Sequence, residues 1–328
     1  MNIAITGSSG FIGSALARAL VDNHHILSID ILDAPFPHPN LKHIRCDFAS
    51  VPEKCLDGVD AIYHLAARLP VEKCSFKEYY LNNVVKTRAL LSKCRRARVK
   101  RLIYVSSSAV YGRPRSPITE LSERAPIEPY GKSKLLAEEL CELYRNRYSM
   151  NISIVRPRTV VGANRLGILH LLFTWIRNNR NVYLLGNGRN KYQLLSLDDL
   201  VGALVLLLDK GSYEDYNLGA ECYQTLYEDI YSLIELAGSS SKIVLFPSFL
   251  KELLPLIEKF IPLAKWHYKL IDKDFYFDIT KAKRELGWKP RESNIQMLVK
   301  AYRTFKKETR GMSAHLSPIK LGILKLLP

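Results

Sequence analysis

The sequence has little of what marks several protein classes. Its six cysteines (Cys46, Cys55, Cys74, Cys94, Cys141 and Cys222) are scattered without a C-x-x-C pair, so neither a zinc knuckle nor a dithiol redox centre is predicted, and a reducing compartment fits. His64 reads as a positioned structural residue, and the other seven histidines have no ligand-like spacing, so no metal site is expected. The start, MNIAITG, has neither a basic n-region nor an apolar h-region and reads as a strand rather than a signal peptide. The longest apolar stretch, LGILHLLFTWI before Arg177, is far short of the roughly 20 residues that cross a bilayer. A cytoplasmic protein without spanning segments is the expectation. No internal repeat is visible. Acidic residues are scarce: 32 Asp+Glu against 48 Lys+Arg leave a formal charge of +16. That surplus suits nucleic acid, an anionic membrane or an anionic substrate. With 47% hydrophobic and 24% charged residues the chain is an ordinary globular one, which excludes disorder and collagen-like structure, and 328 residues allow two domains.

What is present is an alternation of strands and helices. NIAIT, FIGSALARALVDN, ILSID, AIYHLA, a helix around Val84 to Cys94, RLIYVSS, the helix KLLAEELCELYRNRY and the strand NISIVRP follow one another. This rhythm predicts βαβ units and a doubly wound α/β fold with a parallel (Rossmann) sheet. Past Gly162 it gives way to longer helices, Asn- and Gly-rich loops and a Pro-punctuated stretch from Phe246 to Pro262. The predicted division is a dinucleotide domain over 1–162 with a return at 194–219. A smaller, mostly helical substrate region takes 163–193 and 220–311, and 312–328 form a basic apolar tail.

TGSSGFIG places Gly7, Gly10 and Gly13 between the first strand and its helix. A tight turn, a backbone approach to pyrophosphate and close helix packing each need a glycine there, and the helix opening at Phe11 and Ile12 offers free N–H groups. A purely structural turn is the alternative. Asp30 closes the second strand where an acid grips the adenosine ribose, and it disfavours a 2′-phosphate, so NAD is expected over NADP. The alternative for Asp30 is the start of a surface turn. No Lys or Arg follows within seven residues.

Tyr130 and Lys134 stand one helical turn apart in YGKSK. A tyrosine titrates near pH 10, and an ammonium beside it is the nearest source of the roughly 4 kcal/mol that brings a phenolate within reach of neutrality. Read alone, the pair is equally a solvated helix face. SSSAVYG, after the strand RLIYV, adds hydroxyls at the C-terminal sheet edge where doubly wound folds bind ligands.

At this point the chain resembles the extended short-chain dehydrogenase/reductases, in particular the NAD-dependent epimerase/dehydratase family. The likeness runs to about Pro290, through TGSSGFIG, Asp30, CDF, HLAA, NVVKT, SSSAVYG, YGKSK, RPRTVVG, GNGRNKYQLLSLDDL, YNLG and LGWKP. It implies that Asp47 and Phe48 flank the adenine, that Leu65, Ala66 and Ala67 line the dinucleotide path, and that Asn83 orders the active-site region. It implies Tyr130 as general acid/base and Lys134 on the nicotinamide ribose. It implies Ser107, four residues before Tyr111, as the third catalytic group, with Ser106 and Ser108 as register alternatives. A homodimer through the helices near 84–94 and 135–148 is implied by analogy.

The chain also departs from that pattern. Ser108 and Ala109 stand where 4,6-dehydratases carry Asp-Glu, which disfavours a dehydratase. Tyr192 and Lys273 stand where nucleotide-sugar enzymes carry phosphate-binding arginines, and a lysine cannot reproduce a bidentate contact. FPSFLKELLPLIEKFIPLAKWHYK and the tail LSPIKLGILKLLP pair apolar and cationic residues, as an interfacial helix or a packed lid would. Lys93, Arg95, Arg96, Arg98, Lys100 and Arg101 crowd one loop, but without interleaved aromatics a solvated loop is favoured, and no nucleic acid is expected. The leading reading is an NAD-dependent epimerase or oxidoreductase of a secondary alcohol on a nucleotide sugar. The second is a membrane-peripheral dehydrogenase of a lipid or sterol-like hydroxyl, akin to 3β-hydroxysteroid dehydrogenases. The third is a non-catalytic NAD-binding sensor or scaffold.

Overall fold

In a computed structural model of the chain, residues 1–70, 74–112, 115–162, 169–210, 213–247 and 273–311 are described. They divide into two compact units. The first comprises Met1–Val160, Gln193–Glu221 and Tyr276–Arg291. It is built on strands β1 (Asn2–Thr6), β2 (His25–Asp30), β3 (Leu41–Arg45), β4 (Ala61–His64), β5 (Arg101–Val105), β6 (Ile152–Pro157) and β7 (Asp215–Leu218). They form one seven-stranded sheet in the order β7-β6-β5-β4-β1-β2-β3, and every pairing is parallel. Helices cover both faces, so β4 and β6 are buried along their whole length. The strand order reverses between β1 and β4, which opens a crevice at their C-terminal ends.

Helix α1 (Phe11–Leu20) follows β1 directly and buries Gly13, Leu16, Ala17 and Leu20. Between β4 and β5 one helical run changes character: α2 (Phe76–Tyr79) leads into a π-helical turn, Tyr80–Val85, and on into α3 (Lys86–Arg96). Helix α4 (Pro129–Tyr148) starts with proline at N1, where no N–H is needed, and ends at Ser149 in the left-handed region. Its buried face holds Tyr130, Ser133, Lys134 and Glu138 as well as Ala137 and Cys141. A helix face that reads as polar surface is therefore packed against the sheet.

The sequence reading assigns residues 276–291 to the substrate region, whereas they fall within the first unit. Contacts distant in sequence hold them: Trp288 Nε1 donates to Asp199 O at 3.0 Å and Phe277 N donates to Gln193 Oε1 at 2.9 Å. The basic loop at 93–101 is not simply solvated. Lys93 Nζ donates to Ala49 O and Val51 O, Arg96 pairs with Glu53, Lys100 with Asp60, and Arg101 donates to Leu207 O. All six cysteines are free thiols.

The second unit comprises Val161–Tyr192, Cys222–Phe275 and the chain from Glu292. In it the strands Val182–Leu185 and Ile243–Phe246 pair in parallel. The helix Leu226–Ala237 opens on a capping box of Thr225 and Glu228. Phe173, Tyr302 and Phe305 interlock with ring centroids 5.4 to 6.3 Å apart. Among the described residues no helix is long and apolar enough to cross a membrane. Most of the apolar, basic segment after Phe246 and the tail 312–328 lie outside the described residues.

Candidate active site and dinucleotide-binding edge

Gly7 has φ +72°, and a Cβ there would stand 2.7 Å from Ala66 N, so the turn after β1 and the turn after β4 touch through backbone alone. A Cβ on Gly13 would overlap the Gly7 carbonyl, which fixes how closely α1 approaches β1. At Gly10 only Gly7 O lies near, at 3.2 Å, and the space beyond is open. Gly10 is the N-cap of α1 with no side-chain cap, and the first turn, opened by Phe11 and Ile12, holds no acid. This cradle, which a side chain at position 10 would fill, fits the pyrophosphate of NAD.

Asp30 lies at the end of β2, where Oδ2 accepts from Ser9 N at 2.9 Å and Oδ1 from Leu32 N at 3.0 Å. The carboxylate is thereby fixed beside the glycine turn. Register pairing sets Arg45 opposite Asp30, a cation that a search along the local sequence misses. Its guanidinium is committed to Asp33 Oδ1 at 2.7 Å and Ile31 O at 3.2 Å. Asp47 caps the short turn Phe48–Ser50 and ion-pairs with Lys86 Nζ at 2.6 Å. Phe48 packs on His64, with centroids 4.8 Å apart. Leu65 N and Ala66 N donate to Thr6 O and Thr6 Oγ1, which draws the Leu65–Ala67 turn against β1.

His64 is buried between two threonines. Thr87 Oγ1 donates to Asn83 O at 2.8 Å and so accepts from Nε2–H at 2.9 Å, which leaves Nδ1 to accept from Thr6 Oγ1 at 2.7 Å. Burial holds the ring neutral, its pKa pushed down to about 3. Asn83 sits in the π-helical turn, a feature often found at functional sites. Its Oδ1 accepts from Arg68 N at 2.7 Å and its Nδ2 donates to Ser133 Oγ at 3.0 Å, while Ser133 Oγ donates to Tyr130 O at 2.7 Å. Asn83 thus ties the turn after β4 to α4, through Ser133, which the sequence reading did not single out.

Tyr130 is buried on the first turn of α4, edge-on to Tyr79 at 6.0 Å. Lys134 is 2% exposed, and its Nζ donates to Val105 O at 2.7 Å and stands 4.3 Å from the Tyr104 ring centre. Desolvation pulls its pKa down to about 8, against the pull of Glu138. Ser107 caps the 3-10 turn Ser108–Tyr111, and its Oγ accepts from Ala109 N at 3.2 Å, leaving its own proton to donate. Of the register alternatives, Ser108 Oγ accepts from Arg158 Nη1 at 3.2 Å, and Ser106 Oγ is buried. The arrangement brings a phenol-bearing helix turn, a buried lysine and a donor hydroxyl to the C-terminal end of β5, two strands across the sheet from β1 and its glycine turn.

The model of the NAD-dependent epimerase/dehydratase family matches residues 3–219. The chain is 33% identical over 336 aligned residues to the uncharacterized protein y4nG of Sinorhizobium fredii, covering 99% of this chain and 85% of that one. It is 29% identical over 259 residues to the uncharacterized UDP-glucose epimerase YtcB of Bacillus subtilis, covering 72% and 81%. The solved UDP-glucuronic acid 4-epimerase of Bacillus cereus with NAD superposes with a TM-score of 0.78 at 26% identity, covering 94% of this chain and 99% of that one. The same enzyme is also solved with UDP-glucuronic acid and NAD. With the glycine cradle, Asp30 and the α4 pair on one sheet edge, the chain belongs to the NAD-dependent epimerase/dehydratase family and is an NAD-dependent enzyme of the extended short-chain dehydrogenase/reductase type.

Proposed function

We propose that the chain oxidises and re-reduces a secondary alcohol of a nucleotide-linked sugar, as an epimerase or an oxidoreductase, with the second unit as its substrate region. The observation that carries this reading is the burial of Tyr130 and Lys134 one turn apart on α4, beside the strand end that bears Ser107. The B. cereus epimerase, which binds UDP-glucuronic acid and NAD, supports the sugar nucleotide.

NAD, when bound, supplies the hydride acceptor and donor. Tyr130 Oη, as phenolate, takes the proton of the sugar hydroxyl and later returns it. Ser107 Oγ holds the same oxygen through its free proton, and the Lys134 ammonium favours the phenolate. Ser108 and Ala109 offer no carboxyl to eliminate water, which argues against a dehydratase. A screen of UDP sugars with NAD should show epimerised product without net reduced cofactor. Tyr130→Phe should cut turnover by about 10² to 10⁴, and unchanged turnover would refute the assignment.

One feature favours a membrane-peripheral form of the enzyme. In the second unit, Trp175, Tyr183 and Phe246 form a row with centroids 5.8 and 5.5 Å apart. Tyr183, Leu245 and Phe246 are exposed, and the sequence runs on into the apolar, basic segment. An aromatic rim followed in sequence by cationic residues suits an anionic lipid surface, and Lys273 and Tyr192 in place of arginines suit a lipid-like alcohol better than a diphosphate. Flotation with phosphatidylglycerol vesicles, but not with phosphatidylcholine vesicles, is expected. No binding to either would remove this reading.

A further inference from the structure

A buried lysine that must carry charge needs a counter-ion, or burial neutralises it. Among the described residues, the partners Lys134 meets directly are neutral, the Val105 carbonyl and the Tyr104 ring. The titratable groups around it, Cys141 on α4 itself and the rest on other elements, are mostly uncharged. His64 on β4 is held neutral, and burial pushes the phenols of Tyr104 and Tyr111 and the Cys141 thiol away from ionisation. Arg156, a buried cation on β6, is committed to Glu138 and Asp215. Glu138 is the anion, one turn further along α4 on the same face.

Glu138 is fully buried and doubly clamped. Arg156 Nε reaches both its oxygens at 3.0 Å and Arg156 Nη2 reaches Oε2 at 2.8 Å, while Arg124 Nη1 also reaches Oε2 at 2.8 Å. Arg156 is anchored in turn by Asp215 Oδ2 at 2.8 Å and Tyr111 Oη at 3.2 Å, and Arg145 holds the other oxygen of Asp215 at 2.8 Å. Arg124 also reaches Glu142, at 2.7 Å. Charge alternates outward from Lys134 through side chains that hold one another in place.

We propose that Glu138, clamped by Arg156, is a positioning residue for Lys134: the fixed counter-charge that keeps the Lys134 ammonium protonated at neutral pH. This rests on the reading that Lys134 works as a cation beside Tyr130. A carboxylate that only tied α4 to β6 would leave the charge of Lys134 indifferent to its removal.

The test is a titration of the full chain labelled with [13Cε]lysine, followed by NMR from about pH 6 to about pH 11, with the Lys134 signal assigned by Lys134→Arg. Glu138→Gln should lower the Lys134 midpoint by about one pH unit or more. Because that change orphans Arg156 and can unfold the chain, the charge-balanced pair Glu138→Gln with Arg156→Gln is the deciding variant. Its midpoint should fall too, since the counter-charge at position 138 is gone. Glu138→Asp, which retains the charge, should stay near the parent. A folded double variant with the parent midpoint would overturn the proposal. No substrate enters the titration, so a Lys134 that shifts while turnover does not would discredit the reading of Lys134 and leave that of Glu138 standing.

Discussion

Replacing Lys134 by methionine should make the protein more stable at neutral pH and abolish turnover. Burial lowers the pKa of the lysine from 10.5 to about 8, and each pH unit of difference between folded and unfolded chain is worth about 1.4 kcal/mol. At pH 7 both states are protonated, so about 3 kcal/mol opposes folding. Methionine retains the apolar stem but forfeits the hydrogen bond to Val105 O, about 1 kcal/mol, and the contact with the Tyr104 ring, of similar size. The expected net gain is about 1 kcal/mol. Its pH dependence follows from the direction of the shift. Between about pH 8 and pH 10.5 the unfolded chain binds more protons than the folded one, so the parent gains stability as pH rises through that window. The advantage of the variant is therefore largest below about pH 8, vanishes within the window and reverses above it. Urea unfolding of both proteins at pH 7 and pH 10 measures this. A variant that is less stable at pH 7, or an advantage that does not shrink with pH, would refute the reasoning.

Two further outcomes are expected. The parent should bind NAD well ahead of NADP, and Asp30→Asn should narrow the ratio at least about tenfold, because the carboxylate no longer repels a 2′-phosphate and Arg45 stands opposite it. Fluorescence titration with the reduced cofactors reads the ratio, and a parent that prefers NADP would count against the role of Asp30. Phe76, Tyr80, Leu81 and Val85, with Leu143 and Tyr148 on α4, are exposed apolar side chains on the helices of the first unit. They suit a self-association face, so sedimentation at micromolar concentration should give twice the 37.4 kDa chain mass, whereas a uniform monomer would dismiss it.

Local features were legible in the sequence. The glycine turn, Asp30 and the Tyr130–Lys134 spacing depend on residues close together in the chain, and the β-branched runs mark strands buried on both faces. What was hidden depends on closure in three dimensions. Glu138 carries no mark of burial in the sequence, and it is the Arg156 guanidinium, brought in by β6, that makes it an interior acid. Arg45 comes to stand opposite Asp30 through strand register, not sequence proximity. The return of residues 276–291 rests on Trp288 meeting a carbonyl 89 positions earlier. The π-helical turn had no signature either, since LNNVV suits an ordinary helix equally well.

That turn carries a consequence for how this stretch of chain can change. A π turn is in effect an α-helix with one residue added, and each added residue rotates everything downstream by about 100°. Residues 76–96 can therefore aim Asn83 at Ser133 and still bury Leu90, Leu91 and Cys94 in the core, which a uniform helix would not do with the same residues. Deleting a single residue between Tyr80 and Val85 would yield a more regular helix, and one whose two halves no longer served the same enzyme.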